Sequence, residues 1–144
     1  MQIDIPELRH LCLLTYENTE KFVQCNAEAY IGYSLMDYLA GRADPNYIYW
    51  LWHANMHSLA KGAIAFADSE EVKGLMVWMP PSIGVVDDLR FLWYGGMRFL
   101  PKLWRLIRTE NYSTSLKNIY TDKNTWYLFD FAISPAYQHQ HVAS

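Results

Sequence analysis

The apolar residues of this chain fall into short runs and periodic stretches that alternate along the sequence. A run over residues 10–15 predicts a short buried strand, and Asn18 and Thr19 then predict the start of a helix over residues 21–30. A second helix is predicted over residues 46–61, ending at Gly62, because five apolar residues recur there on one helical face. These are Ile48, Leu51, Trp52, Met56 and Leu59.

Two further apolar runs, over residues 63–67 and 72–80, are separated by the polar turn at residues 68–71. This pattern predicts an antiparallel hairpin, which Pro80 and Pro81 end because proline cannot donate to a strand ladder. The clearest strand is predicted over residues 126–133, between polar residues and Ser134-Pro135.

Residues 87–108 have helical periodicity, with Asp87 and Asp88 placed as cap and first-turn charge. Gly95-Gly96 and Pro101 are expected to break this segment, and residues 110–120 predict a further helix. The expected buried face consists of Leu89, Leu92, Trp93, Leu100, Leu103 and Ile107. Helices and strands thus alternate, which predicts an α/β fold with a mixed sheet.

Composition restricts the class of protein further. The 144 residues are 51% hydrophobic and 19% charged, enough for one domain with a substantial core. A net charge of −3 gives no reason to expect a nucleic-acid partner. Cys12 and Cys25 form no CxxC motif and no signal peptide is recognisable, so we expect reduced thiols in a cytoplasmic protein. No apolar run is long enough for membrane insertion.

Two histidines, His53 and His57, lie four residues apart on a predicted helix, so their side chains are neighbours. Such a pair needs further ligands to bind zinc, and the glutamate of the hydrolytic HExxH motif is missing. Both residues lie opposite the apolar stripe. We interpret them as part of a solvated face or a pocket wall, and we assign no metal site.

A cationic stripe runs along the predicted helical segment at residues 87–108, interleaved with Trp93, Phe99 and Trp104. Its members are Arg90, Arg98, Lys102, Arg105 and Arg108. An anionic membrane surface or a nucleic acid would suit this composition. An ordinary amphipathic helix that covers a core has the same pattern, and the acidic whole chain favours that interpretation.

The closing segment, SPAYQHQHVAS, follows the last predicted strand directly. A strand, a Ser-Pro turn and then small and polar residues are typical of a turn into a helix N-terminus. Unpaired backbone N–H groups at such a terminus bind phosphate well. His139 and His141 are therefore interpreted as part of a phosphate-binding turn rather than as a metal-binding tail.

This strand and turn resemble the core motif of the GCN5-related N-acetyltransferases, in which an apolar strand and a Val/Ile-x-Pro turn precede Q/R-x-x-G-x-G/A. Ile133-Ser134-Pro135 and Gln138 match it, and Ala143 takes its last position, whereas His141 replaces the first glycine. The predicted hairpin resembles the family's second and third strands. The resemblance implies an acyl-CoA N-acyltransferase-like fold over residues 1–144, a single domain truncated after the fourth strand and the pyrophosphate loop.

The resemblance also implies a function, which is transfer of an acetyl group from acetyl-CoA to a primary amine of a small molecule or peptide. Phe131, Ala132 and Ile133 would face the pantetheine arm of the cofactor. The pyrophosphate would lie on the turn formed by Gln138, His139, Gln140, His141, Val142, Ala143 and Ser144.

Catalytic residues follow less directly from the resemblance. Acidic groups on this strand act as base or water holder in some relatives, which makes Asp130 the catalytic candidate. Alternation of side chains predicts Tyr127 on the opposite face of the strand. The two histidines of the predicted helix, His53 and His57, would line the amine side.

The family continues beyond the pyrophosphate helix with a strand and a tyrosine-bearing helix. Without them we expect this chain to be inactive or weakly active, and its last strand to present an open apolar edge. An alternative function is therefore a non-enzymatic α/β module that forms a homodimer through this edge.

Overall fold

A computed structural model describes residues 10–41, 44–81 and 84–140. Its strands are β1 (Cys12–Leu13), β2 (Ile64–Ala67), β3 (Gly74–Met79) and β4 (Tyr127–Ile133). Its α-helices are α1 (Thr19–Ala29), α2 (Ser34–Ala40), α3 (Pro45–His57), α4 (Asp88–Trp93) and α5 (Leu103–Tyr120). Short 3-10 helices occupy Gly96–Lys102 and Pro135–Tyr137. The predicted combination of helices and strands is confirmed.

The four strands form one sheet in the order β1-β2-β3-β4, and every described pair is antiparallel. The prediction of a mixed sheet is therefore wrong for the described residues. The hairpin of β2 and β3 is confirmed. The apolar strand β4 pairs antiparallel with β3, on the side of β3 opposite β2. The strand predicted over residues 10–15 is shorter, at two residues.

A β-bulge interrupts the pairing of β3 with β4. Val77 pairs with Asp130 and Trp78 with Leu128, so Phe129 is an extra residue on β4. The extra residue resets the alternation of side chains, and Tyr127 and Asp130 consequently lie on the same face of the sheet. The prediction that they lie on opposite faces is wrong for this reason.

The core lies on one face of this sheet. Leu75, Val77 and Met79 of β3 are buried there, and α1 packs against β3 and β4 on that side. On the other face the side chains of Leu128 and Phe131 are 44% and 42% exposed. The sheet is thus apolar on both faces, as the nearly continuous apolar runs of β3 and β4 indicate, and the second face is partly open to solvent.

Helix α1 packs closely against α3 as well as the sheet. Phe22 and Val23 of α1 are fully buried, and Ile48 and Leu51 of α3 are 1% exposed. The apolar face predicted for the second helix is confirmed up to Met56. The helix itself ends at His57 rather than at residue 61, with Ser58 as its C-cap.

The segment after the hairpin breaks where its sequence predicts. Asp87 caps α4 by accepting a hydrogen bond from the backbone N–H of Arg90. Gly95 then adopts a φ of +118°, and a side chain at Gly96 would collide with the ring and backbone of Phe91. The Glu110–Tyr120 stretch is not a separate helix but the second half of α5.

The apolar face predicted for this segment is wrong. Leu89 and Trp93 are 80% and 84% exposed, whereas Phe91 and Phe99 are buried. Within α4 the face that carries Phe91 is buried, and the turn at Gly95-Gly96 and the tighter 3-10 helix change the angular position of the side chains that follow. A single period of 3.6 residues therefore does not extend through the segment.

Candidate functional site

Asp130 lies in the core at the point where β4 meets α1. Its side chain is 3% exposed, and its Oδ1 accepts a hydrogen bond of 2.7 Å from the hydroxyl of Tyr30. Tyr30 is the C-cap residue of α1, and its ring stacks on Trp52 of α3 at a centroid distance of 5.0 Å. The sheet, α1 and α3 therefore meet at one carboxylate.

The burial of this carboxylate changes its acidity. Removal from water raises the pKa of Asp130 from its ordinary value of 3.8 to about 6, and the hydrogen bond from Tyr30 opposes the rise. Burial and the neighbouring negative charge of Asp130 raise the pKa of the Tyr30 hydroxyl, which stays protonated as the donor. In the described part of the chain, Oδ2 of Asp130 has no hydrogen-bond partner. Asp130 is thus a buried carboxylate that Tyr30 binds through Oδ1, and the side chain of Asn26 lies near enough to oppose the rise in its pKa as well.

The other residues predicted on β4 occupy different environments. Phe131 points away from the core and is 42% exposed, Ala132 is buried, and Ile133 is half-buried. Only the main chain of Ala132 could therefore contact a ligand at the strand edge. Asp130 and this edge lie on one strand, so the structure brings the catalytic candidate close to part of the predicted cofactor contact.

The predicted phosphate turn is described as far as Gln140. Pro135–Tyr137 form a 3-10 turn, and His139 has a φ of +66°. The side chains of the two glutamines donate to the main chain, Gln138 to the carbonyl of Ile133 and Gln140 to that of Ala136. The predictions for His141, Val142, Ala143 and Ser144 lie outside the described residues.

A second cluster lies at the other end of α1. His53 and His57 are neighbours, with ring centroids 4.4 Å apart, as the spacing predicts. Glu20 of α1 joins them, and its Oε1 lies 3.2 Å from Nε2 of His53 and 3.1 Å from Nε2 of His57. The histidine side chains are 18% and 12% exposed, so of the two interpretations, a solvated face or a pocket wall, the solvated face is wrong.

Hydrogen bonds fix each member of this cluster. Nδ1 of His53 lies 2.8 Å from the carbonyl oxygen of Tyr94, and the hydroxyl of Tyr49 donates to Oε2 of Glu20 at 2.6 Å. Burial acts to raise the pKa of Glu20, but the hydrogen bonds from Tyr49 and His57 and the charge of the histidines outweigh it, so the pKa is lowered. Burial and the bond to Glu20 raise the pKa of Tyr49 to about 12.

Sequence reasoning missed Glu20. It stands 33 positions before His53, at a predicted helix start where an acidic residue is ordinary. No local motif joins it to the histidines, and only the packing of α1 on α3 brings it there.

Three residues of the cationic stripe contact other parts of the same chain. Lys102 donates to the carbonyl of Gly41 at 3.0 Å and Arg105 to that of Tyr38 at 2.9 Å, while the guanidinium of Arg98 lies over an indole ring. These contacts favour the interpretation as an ordinary amphipathic segment. Within the described ranges, no helix has the length and apolar character needed to cross a membrane.

The raised pKa of Asp130 predicts a pH-dependent stability. The folded chain keeps the proton up to about pH 6 and the unfolded chain only to about pH 4, so the stabilisation is complete below pH 4 and is lost as the pH rises through 6. Relative to Asp130→Asn, the free energy of unfolding should fall by about 3 kcal/mol between pH 4 and pH 7. Urea denaturation at a series of pH values measures it, and a difference that is constant with pH would contradict it.

No family model matches the chain, and no curated protein matches it. The resemblance of its last strand and turn to the N-acetyltransferase motif is therefore a prediction from the sequence.

Proposed function

We propose that this chain carries the donor half of an acetyl-CoA-dependent N-acetyltransferase, which acts on a primary amine of a small molecule or peptide. The observation that carries the proposal is the position of Asp130. This carboxylate is buried, hydrogen-bonded to Tyr30 and of raised pKa, and it lies on a strand whose sequence continues into the motif turn. Acids of this kind are typical of reactive sites.

The edge of the sheet suits an extended cofactor arm. In the described sheet β4 pairs only with β3, so the main chain of Phe131–Ile133 has one side without a strand partner. An edge of this kind pairs through its N–H and C=O groups with another extended chain. The two amide groups of pantetheine fit such pairing, and acetyl-CoA held there would supply the acetyl group as a thioester.

The apolar side chain of Phe131 adds a contact surface on the open face of β4, where it is 42% exposed. Ala132 contributes only its main chain, since its side chain is buried in the core. Gln138, His139 and Gln140 follow the motif turn and would hold the pyrophosphate together with the last four residues. The donor side of the proposed site is thus formed largely by main-chain groups.

A basic group is needed because a primary amine is protonated near neutral pH and cannot attack in that form. Asp130 has a pKa of about 6, and its Oδ1 accepts a hydrogen bond from the hydroxyl of Tyr30, a half-buried residue. In the proposed step the hydroxyl of Tyr30 gives its proton to Oδ1 of Asp130 and receives the proton of the amine. The neutral amine is then the nucleophile.

Calorimetric titration with acetyl-CoA tests the donor site, and a panel of primary amines tests transfer. We expect measurable heat with acetyl-CoA, and a kcat for Tyr30→Phe at least about tenfold lower with an unchanged affinity for acetyl-CoA. Tyr33→Phe is the matched control, since the ring of Tyr33 lies 5.6 Å from that of Tyr30 and its side chain is 52% exposed. Absence of acetyl-CoA binding would contradict the cofactor assignment, and equal rates for both variants would contradict the proton path.

A second candidate function is a non-enzymatic module that dimerises through β4. The observation that favours it is apolar exposure along this edge, where Trp126, Leu128 and Phe131 are 45%, 44% and 42% exposed. Exposed apolar edges pair with other strands unless charges or a covering element protect them. A second copy of the chain would extend the sheet and cover these side chains.

The second candidate predicts a dimer in sedimentation experiments. Phe131→Lys should convert it to the mass of one chain, because a charge on the edge opposes strand pairing. Leu89→Lys is the matched control, since Leu89 is 80% exposed on α4 and should leave the dimer intact. A wild-type mass equal to one chain over the whole concentration range would contradict this candidate.

A further inference from the structure

The cluster of Glu20, His53 and His57 has the dimensions of a metal site. The three ligand atoms lie within 4.8 Å of one another, and the two distances that involve Glu20 are 3.2 and 3.1 Å. Zinc binds such ligands tetrahedrally at about 2.0–2.2 Å, which places neighbouring ligand atoms about 3.3 Å apart. The side chains are therefore close to the required geometry before any ion is bound.

The tautomer of His53 supplies an independent indication. Nδ1 lies 2.8 Å from a carbonyl oxygen, that of Tyr94, and a carbonyl can only accept, so Nδ1 carries the hydrogen. A neutral His53 then turns the bare lone pair of Nε2 towards the carboxylate of Glu20 at 3.2 Å. Two acceptors at this distance repel each other unless a positive charge, either a proton or a metal ion, lies between them.

The surroundings hold the ligands in place. The bond from Nδ1 of His53 to a backbone carbonyl is the arrangement that orients metal-binding histidines, and the hydroxyl of Tyr49 holds the other oxygen of Glu20. The ring of His57 stacks on that of Tyr94 with an interplanar angle of 15°. Little conformational freedom is left to be lost on binding.

The cluster is also accessible. The histidine side chains are largely covered, whereas 57% of the Glu20 side chain is exposed. Three protein ligands with one side open to solvent leave a fourth position for a water molecule, and two imidazoles with one carboxylate suit zinc. Among the residues that the structure describes, this is the one group with metal-ligand spacing.

We propose that Glu20, His53 and His57 bind one Zn²⁺ ion per chain, which links the first turn of α1 to the last two turns of α3. The site is separate from Asp130, because Glu20 and Tyr30 lie about 15 Å apart along α1. The inference is independent of the proposed acetyl transfer, and neither result decides the other.

The test uses the full chain without a polyhistidine tag, stripped with a chelator and then dialysed. Calorimetry with Zn²⁺ should give one site, and Co²⁺ should give the intense visible bands of low-coordinate cobalt. At a zinc concentration 100 times Kd the melting temperature should rise by about 8 °C.

Matched variants locate the site. Glu20→Gln and His57→Gln should each weaken zinc binding at least tenfold, whereas Glu17→Gln, an exposed neighbour outside the cluster, should bind as the wild type does. The double variant His139→Gln/His141→Gln should keep its affinity, which excludes the tail as the ligand. Circular dichroism of each variant confirms that it is folded.

Three results would overturn the proposal. One is a Kd for Zn²⁺ weaker than about 100 μM, because a proton rather than a metal ion would then lie between Glu20 and His53. Another is undiminished binding in folded Glu20→Gln and His57→Gln. The last is loss of binding only in the His139/His141 double variant.

Discussion

The packing of α1 between α3 and the sheet is the interaction on which the rest of this structure depends. Phe22 and Val23 are fully buried in this contact, and α1 packs against α3 on one side and against β3 and β4 on another. Burial of two such side chains contributes about 3–6 kcal/mol. Because the helix is fixed along its whole length, the polar residues at its two ends are held against other elements with defined geometry.

Both candidate sites follow from this one helix. At its first turn Glu20 meets the histidines of α3, and at its C-cap Tyr30 meets Asp130 of β4. The bulge at Phe129 completes the second contact, since it turns Asp130 towards the helix-covered face. The two sites can be altered separately, but neither would exist if α1 were displaced.

The sequence predicted those elements in which a single hydrophobic periodicity extends over the whole element. The hairpin, the apolar face of α3 and the breaks near Gly95 and Pro101 follow from local patterns that packing does not alter. The bulge at Phe129 could not be predicted from the sequence, because an extra residue in an apolar strand leaves no recognisable pattern there. The buried face predicted for residues 87–108 was wrong, since Phe91 of α4 and, after a change of helix type, Phe99 are the buried residues. The histidine pair was visible, whereas Glu20 joins it only through tertiary packing.

A double-mutant cycle between Tyr30 and Asp130 tests the placement of α1 most directly. Tyr30→Phe, Asp130→Asn and their combination should give a coupling free energy of about 1.5–3 kcal/mol at pH 7.5, the value expected for a hydrogen bond to a charged group. Urea denaturation of the four chains measures it. Additivity within about 0.5 kcal/mol would contradict the contact of α1 with β4 and the site built on it.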